Sequence, residues 1–551
     1  MPVESDQNAT DVMAEQELAQ GLRGQWESTC EQIAQRILPS YAHQFTGQNR
    51  SVTSPNYQNT QEMVDSTGAL ALKRFAAAME SMNTPHNMTW HGLVPDDPVL
   101  LRHREVRLYY EDVTRVLFKL RYASTSNFAS QKYCDYLMVG AFGDAILFTD
   151  ALASRAERGL RYRSVHPGQC YFFENHQGLI DKNFRRFPLT ARQAVQQFGA
   201  AKVPTVIAEH AADPKRAHTV HFFIHKVAPR EDYDPERKDL KGMAYASCYV
   251  SVTGKATVRE GGYHTFPYAI SRYMTIPGEV RGRSIAMMAL PTIKTANEIK
   301  KTMLKQGHRT VDPLLLAHDD GIVDSFSWKP GSITAGGVNA DGKPLVHAIP
   351  TGNLAAGDKM LEQEHAILND WFLVSLFRIL VESPQKTATQ VIEETREKGM
   401  LLTPEMRQQS ESLGPMIDRE LDVARELNLL PPMPQILVEA NGEYKIRYDS
   451  PLSRMARAEE TSGTMRTIDY WMNYAQVTGN PEPLDHFNID EIVPETADNQ
   501  SMPVRFLNGT GKIDQIRKGR AQQAQQQQLL DAAPSGAAIM KQMMPQSAKT
   551  A

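Results

Sequence analysis

About 40 residues, Asp312 to Gly352, hold six glycines and strand-like pieces such as GIVDSFSW, and a long helical pattern flanks them on each side. This arrangement limits the possible folds more than any other feature. Before it, LPTIKTANEIKKTMLKQGHRTV begins at Leu290, which puts Pro291 in a first turn, where a missing N–H is harmless. From Thr292 to Val311 the pattern covers roughly 30 Å at the α-helical rise. After it, Ala355 to Val381 covers roughly 40 Å by the same rise. Such a pair can carry a small β module far from the main body, so an extended architecture is expected. In the second helix Leu361, Leu368, Trp371, Phe372, Phe377 and Leu380 spread around most of the circumference. A helix apolar nearly all round must be buried on several sides.

The second helix breaks off at Ser383-Pro384-Gln385-Lys386, and Thr387-Ala-Thr-Gln390 restarts one with a capping-box pattern that runs to Lys398-Gly399. Thr403-Pro404-Glu405 offers an N-cap, a first-turn proline and an acid for a further helix to about Leu430, stopped by Pro431-Pro432. Residues 436–452 read as a hairpin turning at Asn441-Gly442. A helix follows around 455–478, then a loop rich in proline and acids. Residues 511–533 form a Gln-dominated helix candidate, and the last 18 or so residues have the composition of a disordered tail.

Upstream, Glu15 to Leu38 reads as one helix stopped by Pro39. From Gly68, GALALKRFAAAMESMN places Leu72, Phe75, Ala76 and Met79 on one face, and Trp90 is expected to dock into the core. Two more helices are expected near 99–121 and 125–139. From Asp144 the period changes to that of strands, in AILFTD, LRYRSVHP, QCYFFEN, GLIDKNFRRF, HTVHFFIHKV and MAYASCYVSVTG. Thr190-Ala-Arg-Gln193 has a capping-box pattern that opens a short helix ending at Gly199. The fold class is therefore α+β, mainly helical, with an antiparallel sheet.

The formal net charge of −4 shows no bulk basic surface for gripping nucleic acid. Four dispersed cysteines without metal-ligand spacing read as reduced thiols of a cytosolic protein. The polar, acidic N-terminus does not read as a signal peptide, and the apolar run Trp371–Val381 is too short for a bilayer. Asn508-Gly-Thr-Gly-Lys512 lacks the first glycine and the hydroxyl residue of a phosphate loop, so it reads as a hinge. His221 and His225 share a strand face that His218 does not, and with no carboxylate among them a surface strand is expected rather than a metal site. Hydrolase, zincin and dinucleotide motifs are missing, which argues against an enzyme. On the first long helix Lys294, Glu298, Lys301, Lys305 and His308 recur at spacings of 4, 3, 4 and 3, giving one polar face. It is either simply solvated or lines a wet channel where lysines meet phosphates weakly.

Several stretches, in order, resemble the portal, or head-to-tail connecting, proteins of short-tailed bacteriophages. They are GALALKRFAAAMESMNTPHNMTWHGL, GLIDKNFRRFPLTARQAVQQFG, RGRSIAMMALPTIKTANEIKK, VDPLLLAHDDGI and KTATQVIEETRE. The resemblance implies a twelve-subunit ring around a DNA channel. Residues 1–285 would be the wing, 286–311 and 353–381 the stem helices, and 312–352 a small α/β clip. Residues 382–388 would be a tunnel loop, 389–500 the return through the wing, and 501–551 a helical crown and tail. The implied partners are other copies of the chain, double-stranded DNA, the terminase large subunit, a tail adaptor, and capsid and scaffolding proteins. No membrane, cofactor, metal or catalytic residue is implied. The implied place is the virion's portal vertex, reached from the host cytoplasm during assembly. Lys386 and Gln385, with Lys294, Lys301 and Lys305, are candidate channel residues. Asp319, Asp320, Asp324, Trp328 and Lys329 are candidates for clip docking. A different virion connector, such as a tail adaptor or scaffold, and a packaging-associated enzyme are the alternatives.

Overall fold

The expected helix from Glu15 to Leu38 forms as two, α1 (Gln7–Gly21) and α2 (Gly24–Ile37). Glycines on either side of the break each weaken a helix by about 1 kcal/mol relative to alanine. Arg23 between them is buried, its guanidinium 3.8 Å over the Tyr171 ring and donating to the carbonyls of Cys170 and Gly168. That tertiary anchor replaces the helical continuation. The computed structural model describes residues 6–45, 62–97, 99–152, 158–312, 315–317, 338, 341–344, 346–348, 354–374, 407–440, 442–449, 451–479, 482–499, 502, 506–509 and 511–525. Two compact units divide the chain: residues 1–90, 117–430 and 450–452 form the first, and 91–116, 431–449 and 453–551 the second.

In the first unit, α3 (Thr67–Asn83) buries Leu72, Phe75, Ala76 and Met79 as its pattern requires. It lies so close to α5 (Phe128–Phe142) that a Cβ on Gly140 would come within 2.7 Å of Leu72 Cδ1. Trp90 is fully buried, its indole N–H donating to Tyr122 Oη. α4 (Arg104–Arg121) precedes α5. Strands β2 (Asp144–Ala151), β3 (Leu160–Val165) and β9 (Tyr268–Arg272) form an antiparallel sheet in the order β3-β2-β9. A second antiparallel sheet orders β4 (Cys170–Glu174), β5 (Ile180–Thr190), β6 (Val220–Pro229), β7 (Tyr245–Ser251) and β8 (Ala256–Tyr263) consecutively. α1 covers one side of this sheet, Ala9 and Val12 meeting Phe184, Ile224 and Val250. α6 (Ala191–Phe198) and α7 (Thr205–Ala212) supply Ala194, Phe198 and Ile207 to a cluster with Phe187, Phe223 and Tyr249. The Thr190 capping box forms as expected, with both reciprocal hydrogen bonds to Gln193.

The surface-strand reading of the histidines is wrong. β6 is the middle strand of its sheet, and His221 and His225 are both buried while His218 is exposed. His225 stacks on Tyr249 at 3.9 Å and is hydrogen-bonded to Tyr268 Oη and Ser247 Oγ. Burial, reinforced by Arg185 and Arg259, pushes its pKa well below the ordinary value. Among the described residues no group of His, Cys, Asp and Glu is placed to hold a metal.

The first long helix, α8, runs Ile285–Val311, about 40 Å. Its N-cap is Ser284, whose hydroxyl accepts the Met287 N–H, so Pro291 sits inside the helix and not in its first turn. An interior proline costs about 3 kcal/mol. The buried stripe of Ile285, Ala286, Ala289, Leu290, Ile293 and Ala296 holds the helix through it. β10 (Leu315–Ala317) pairs antiparallel with β11 (Val346–Ala348), placing a small ladder between the two helices. The second helix, α9, spans Leu354–Trp371 and stops short of the expected Val381. At Phe372–Leu373 the chain turns, with Leu373 at φ 54°. Residues 375–406, including Phe377, Leu380 and the restart at Thr387, lie outside the described residues, as does the Thr403 N-cap. A π-helical turn, Gln409–Leu413, then leads into α10 (Gly414–Glu426).

The second unit corrects another expectation. Residues 436–452 are not a hairpin: α11 (Gln435–Glu439) precedes β12 (Tyr444–Tyr448), which pairs antiparallel with β1 (His91–Pro95). Pro434 opens the short helix and Leu437 is buried beneath it, so the strand finds its partner far away in sequence. Tyr110 Oη donates to the Glu443 carbonyl, and Thr114 Oγ1 accepts the Leu93 N–H. α12 (Pro451–Thr478), α13 (Ile489–Asn499) and α14 (511–525) complete the unit.

Candidate functional site

The α8–α9 pair is rooted in the first unit by a knot of backbone and charge at its base. Gly143, at φ 83°, ends α5, and a Cβ there would lie 2.3 Å from the Gly282 carbonyl oxygen. The buried Asp144 accepts the Gly282 N–H at 2.7 Å and an Arg281 N–H at 3.1 Å. Burial pushes the Asp144 carboxyl up to about 6 against the pull of Arg281 and of that N–H. Arg281 is itself held over Phe172 at 4.0 Å and Trp26 at 4.6 Å. Ser284 Oγ donates to the Ala141 carbonyl and so ties the first turn of α8 to α5.

Higher up, Asn297 Oδ1 accepts the N–H groups of Val64 and Asp65, at 2.8 and 2.9 Å. His365 on α9 meets Asp65 and Thr67, each at 3.1 Å. Leu361, Leu368 and Phe372 are buried in the core shared with α2, α3 and α5. Sequence reasoning missed Asp144, Arg281, Asn297 and His365. Only the Gly143-Asp144 pair, at the change from helical to strand period, offered a local signal.

Beyond this root the polar face forms as expected, with Lys294, Glu298, Lys301, Lys305 and His308 all exposed. Lys294 donates to Gln32 Oε1 at 2.7 Å, and Lys301 lies 3.7 Å from Glu298. With Arg36, Glu62, Val64 and Asn297, these two lysines border a cleft of about 160 Å³ that Lys305 does not reach. The face is thus mixed in charge. Other candidate residues, Lys386, Gln385, Asp319, Asp320, Asp324, Trp328 and Lys329, lie outside the described residues. Apolar side chains also face outward along the pair: Leu304, Val311, Met360, Ile367 and Trp371. Of the α9 residues expected to need burial on several sides, Trp371 is still 41% exposed.

A second set of buried charges fixes α10 in the first unit. Arg121 and Glu420 are both fully buried, Nε donating to Oε1 at 3.0 Å, with Tyr162 Oη donating to the same carboxylate. Lys132 Nζ donates to Asp135 and to Ser412 Oγ. Arg272 binds Glu174 and Glu411, and Arg419 binds Asp150 and Asp422. Apart from Lys132–Asp135 and Arg419–Asp422, each three residues apart, these contacts join residues some 100 to 300 positions apart and fix the π-helical turn and α10 in the first unit. No nucleophile with a matched base is among these residues.

The family described as bacteriophage head to tail connecting protein matches residues 10–507. The chain is similar to a probable portal protein of Bordetella phage BPP-1, 28% identical over 524 residues, 91% of this chain and 89% of that protein. It is also similar to the portal protein of Salmonella phage epsilon15, 25% identical over 514 residues, 91% of this chain and 88% of that one.

Proposed function

This chain belongs to the bacteriophage head-to-tail connecting protein family, and on that premise we propose that it forms the portal ring of a short-tailed phage capsid, through which the genome enters and leaves. It acts as a portal protein at one capsid vertex. The observation that carries the ring is the α8–α9 pair, rooted at one end and lined outward with Leu304, Met360, Ile367 and Trp371. Apolar positions on a projecting two-helix arm are covered most simply by the same arm of neighbouring copies. Closed cyclic symmetry with a heterologous contact provides such neighbours on both sides. The number of copies proposed is twelve.

In this reading residues 1–285 are the wing, 286–311 and 353–381 the stem, and 312–352 the clip. Residues 382–388 are a tunnel loop facing DNA, with Lys386 and Gln385 as its channel candidates, and 389–500 return through the wing. Residues 501–551 form the crown. Asp319, Asp320, Asp324, Trp328 and Lys329 of the clip meet the terminase large subunit during packaging and a tail adaptor afterwards. Scaffolding and capsid proteins meet the assembled ring in the host cytoplasm, and the ring then stays in the virion. Twelve copies at −4 each give about −48, and a ring of that charge repels DNA on average, so the duplex slides. The role is mechanical, without catalysis by this chain.

The test is electron microscopy of the purified protein with scattering mass from the same sample. Rings with a central hole and a mass near twelve copies are expected. A chain that stays monomeric across salt, concentration and added scaffold would overturn the ring.

A further inference from the structure

Charge is segregated along the second unit. Residues 479–500 carry six acids (Glu482, Asp485, Asp490, Glu491, Glu495 and Asp498) and no lysine or arginine, a net of −6. Residues 501–525 carry five bases (Arg505, Lys512, Arg517, Lys518 and Arg520) against Asp514, a net of +4. Within one copy Asp490 on α13 is bound to Arg517 on α14 at 2.9 Å. Asp485, Glu491, Lys518 and Arg520 are all exposed. Glu491 lies one residue and about 100° around α13 from Asp490, so the two carboxylates point to different sides.

α12 adds an apolar observation. No residue from 463 to 479 is buried, although the stretch includes Met465, Tyr470, Trp471, Met472, Tyr474 and Val477. Val477 is 87% and Tyr470 66% exposed. At 100° per residue, Tyr470, Tyr474 and Val477 share one side of the helix while Met465 and Met472 lie on the opposite one. One covering segment shields one side. Two sides need two partners.

We propose that the second unit is itself a copy-to-copy assembly module: the acidic segment Glu482–Glu491 of one copy docks on the basic helix α14 of the next, and α12 is buried between two neighbours. The inference rests on the ring reading and assigns it a contact separate from the α8–α9 arm. The occupant is a second copy rather than a nucleic acid, because the −6 block adjoining α14 repels phosphate while it complements a +3 helix of the same protein. A heterologous contact between unlike faces closes a ring, whereas like faces make only a dimer.

Two full-length variants test it: Glu482→Lys with Asp485→Lys and Glu491→Lys, which takes the Glu482–Glu491 segment from −4 to +2 and makes both faces basic, and Lys518→Glu with Arg520→Glu, which takes α14 from +3 to −1 and makes both acidic. For each variant alone, like charges then oppose, and the concentration at which rings half-dissociate is expected to rise about tenfold or more over wild type. Dissociated subunits of the two variants mixed one to one are expected to form rings of near wild-type stability, alternating in type. The difference is expected to shrink as salt screens the pairs. Rings of unchanged stability in both variants would overturn the inference while leaving the ring reading intact. Weakened rings with no rescue on mixing would place the pairing within one copy and overturn it too. So would unchanged rings with a loss of affinity for a DNA duplex in the acidic variant, which would make α14 a phosphate surface. A wild-type chain that never forms rings overturns both readings.

Discussion

Arg121 and Glu420 are about 300 positions apart in sequence, and neither exposes any side chain to water. Taking two charges out of water costs several kcal/mol per ion, so such a pair holds only while both partners are present. The Arg121 guanidinium also lies 4.6 Å from Trp90 and 4.7 Å from Phe118, which fixes its place. Glu420→Gln is therefore expected to destabilise the first unit by about 3–5 kcal/mol, read from the denaturant midpoint. Arg121→Met combined with Glu420→Leu is expected to recover most of that loss, because no buried charge then remains unpaired. Asp144 gives a pH dependence. Its folded pKa, about 6, lies above its unfolded value, so the native state holds the proton more tightly. The stability it contributes is full below the unfolded pKa, near 4, and is lost as pH rises through 6. Relative to Asp144→Asn, wild type is expected to lose about 2 kcal/mol between pH 4 and 7, since each tenfold gain in proton affinity on folding is worth about 1.4 kcal/mol and the unfolded carboxyl is already partly ionised at pH 4. A parallel pH profile for the two proteins would overturn this assignment.

At the scale of elements, the critical joint lies where α5 ends, β2 begins and α8 departs. Gly143 adopts a left-handed conformation and leaves no room for a Cβ against the Gly282 carbonyl. Gly143→Ala faces both penalties, and a loss of about 2–4 kcal/mol is expected, from strained backbone plus the displaced Gly282 segment. Limited proteolysis between residues 275 and 285 should accelerate in that variant if α8 is held by this contact. Unchanged proteolysis there would show that Ser284 and the buried stripe of α8 suffice alone. α9 differs from its expectation for a related reason. Its apolar residues read as a continuous helix to Val381, yet the helix ends at Trp371 and the chain turns at Leu373. Leu361, Leu368 and Phe372 find their burial against α2, α3 and α5, so packing, and not propensity, sets where that helix stops.

For the whole molecule the governing quantities are symmetry and charge. In the proposed ring, net negative copies would let DNA slide, and a few lysines in its bore would meet phosphates weakly enough to release them. Lys386→Glu, in the proposed tunnel loop, is expected to alter the length of genome packaged or its retention while rings assemble normally. Packaged DNA of normal length, fully retained, would remove Lys386 from the channel. Lys294, another channel candidate, donates to Gln32 within the same copy.

From its residues alone the chain specified what depends on neighbours within a turn or two: the Thr190 capping box, the buried face of α3, the strand period after Asp144, and the mixed polar face of α8. The order of its stretches also carried the family. What depends on contacts hundreds of positions apart was left to the tertiary structure. His225 became a core residue because β6 lies mid-sheet, and β12 left the expected hairpin because β1 offered it a partner. Glu15 to Leu38 split because Arg23 was drawn into the body. Asp144, Arg281 and Glu420 look like ordinary charged residues until folding brings their partners within 3 Å or so. Local hydrogen bonding and periodicity are written along the chain, while desolvation and charge pairing exist only once distant segments exclude water together.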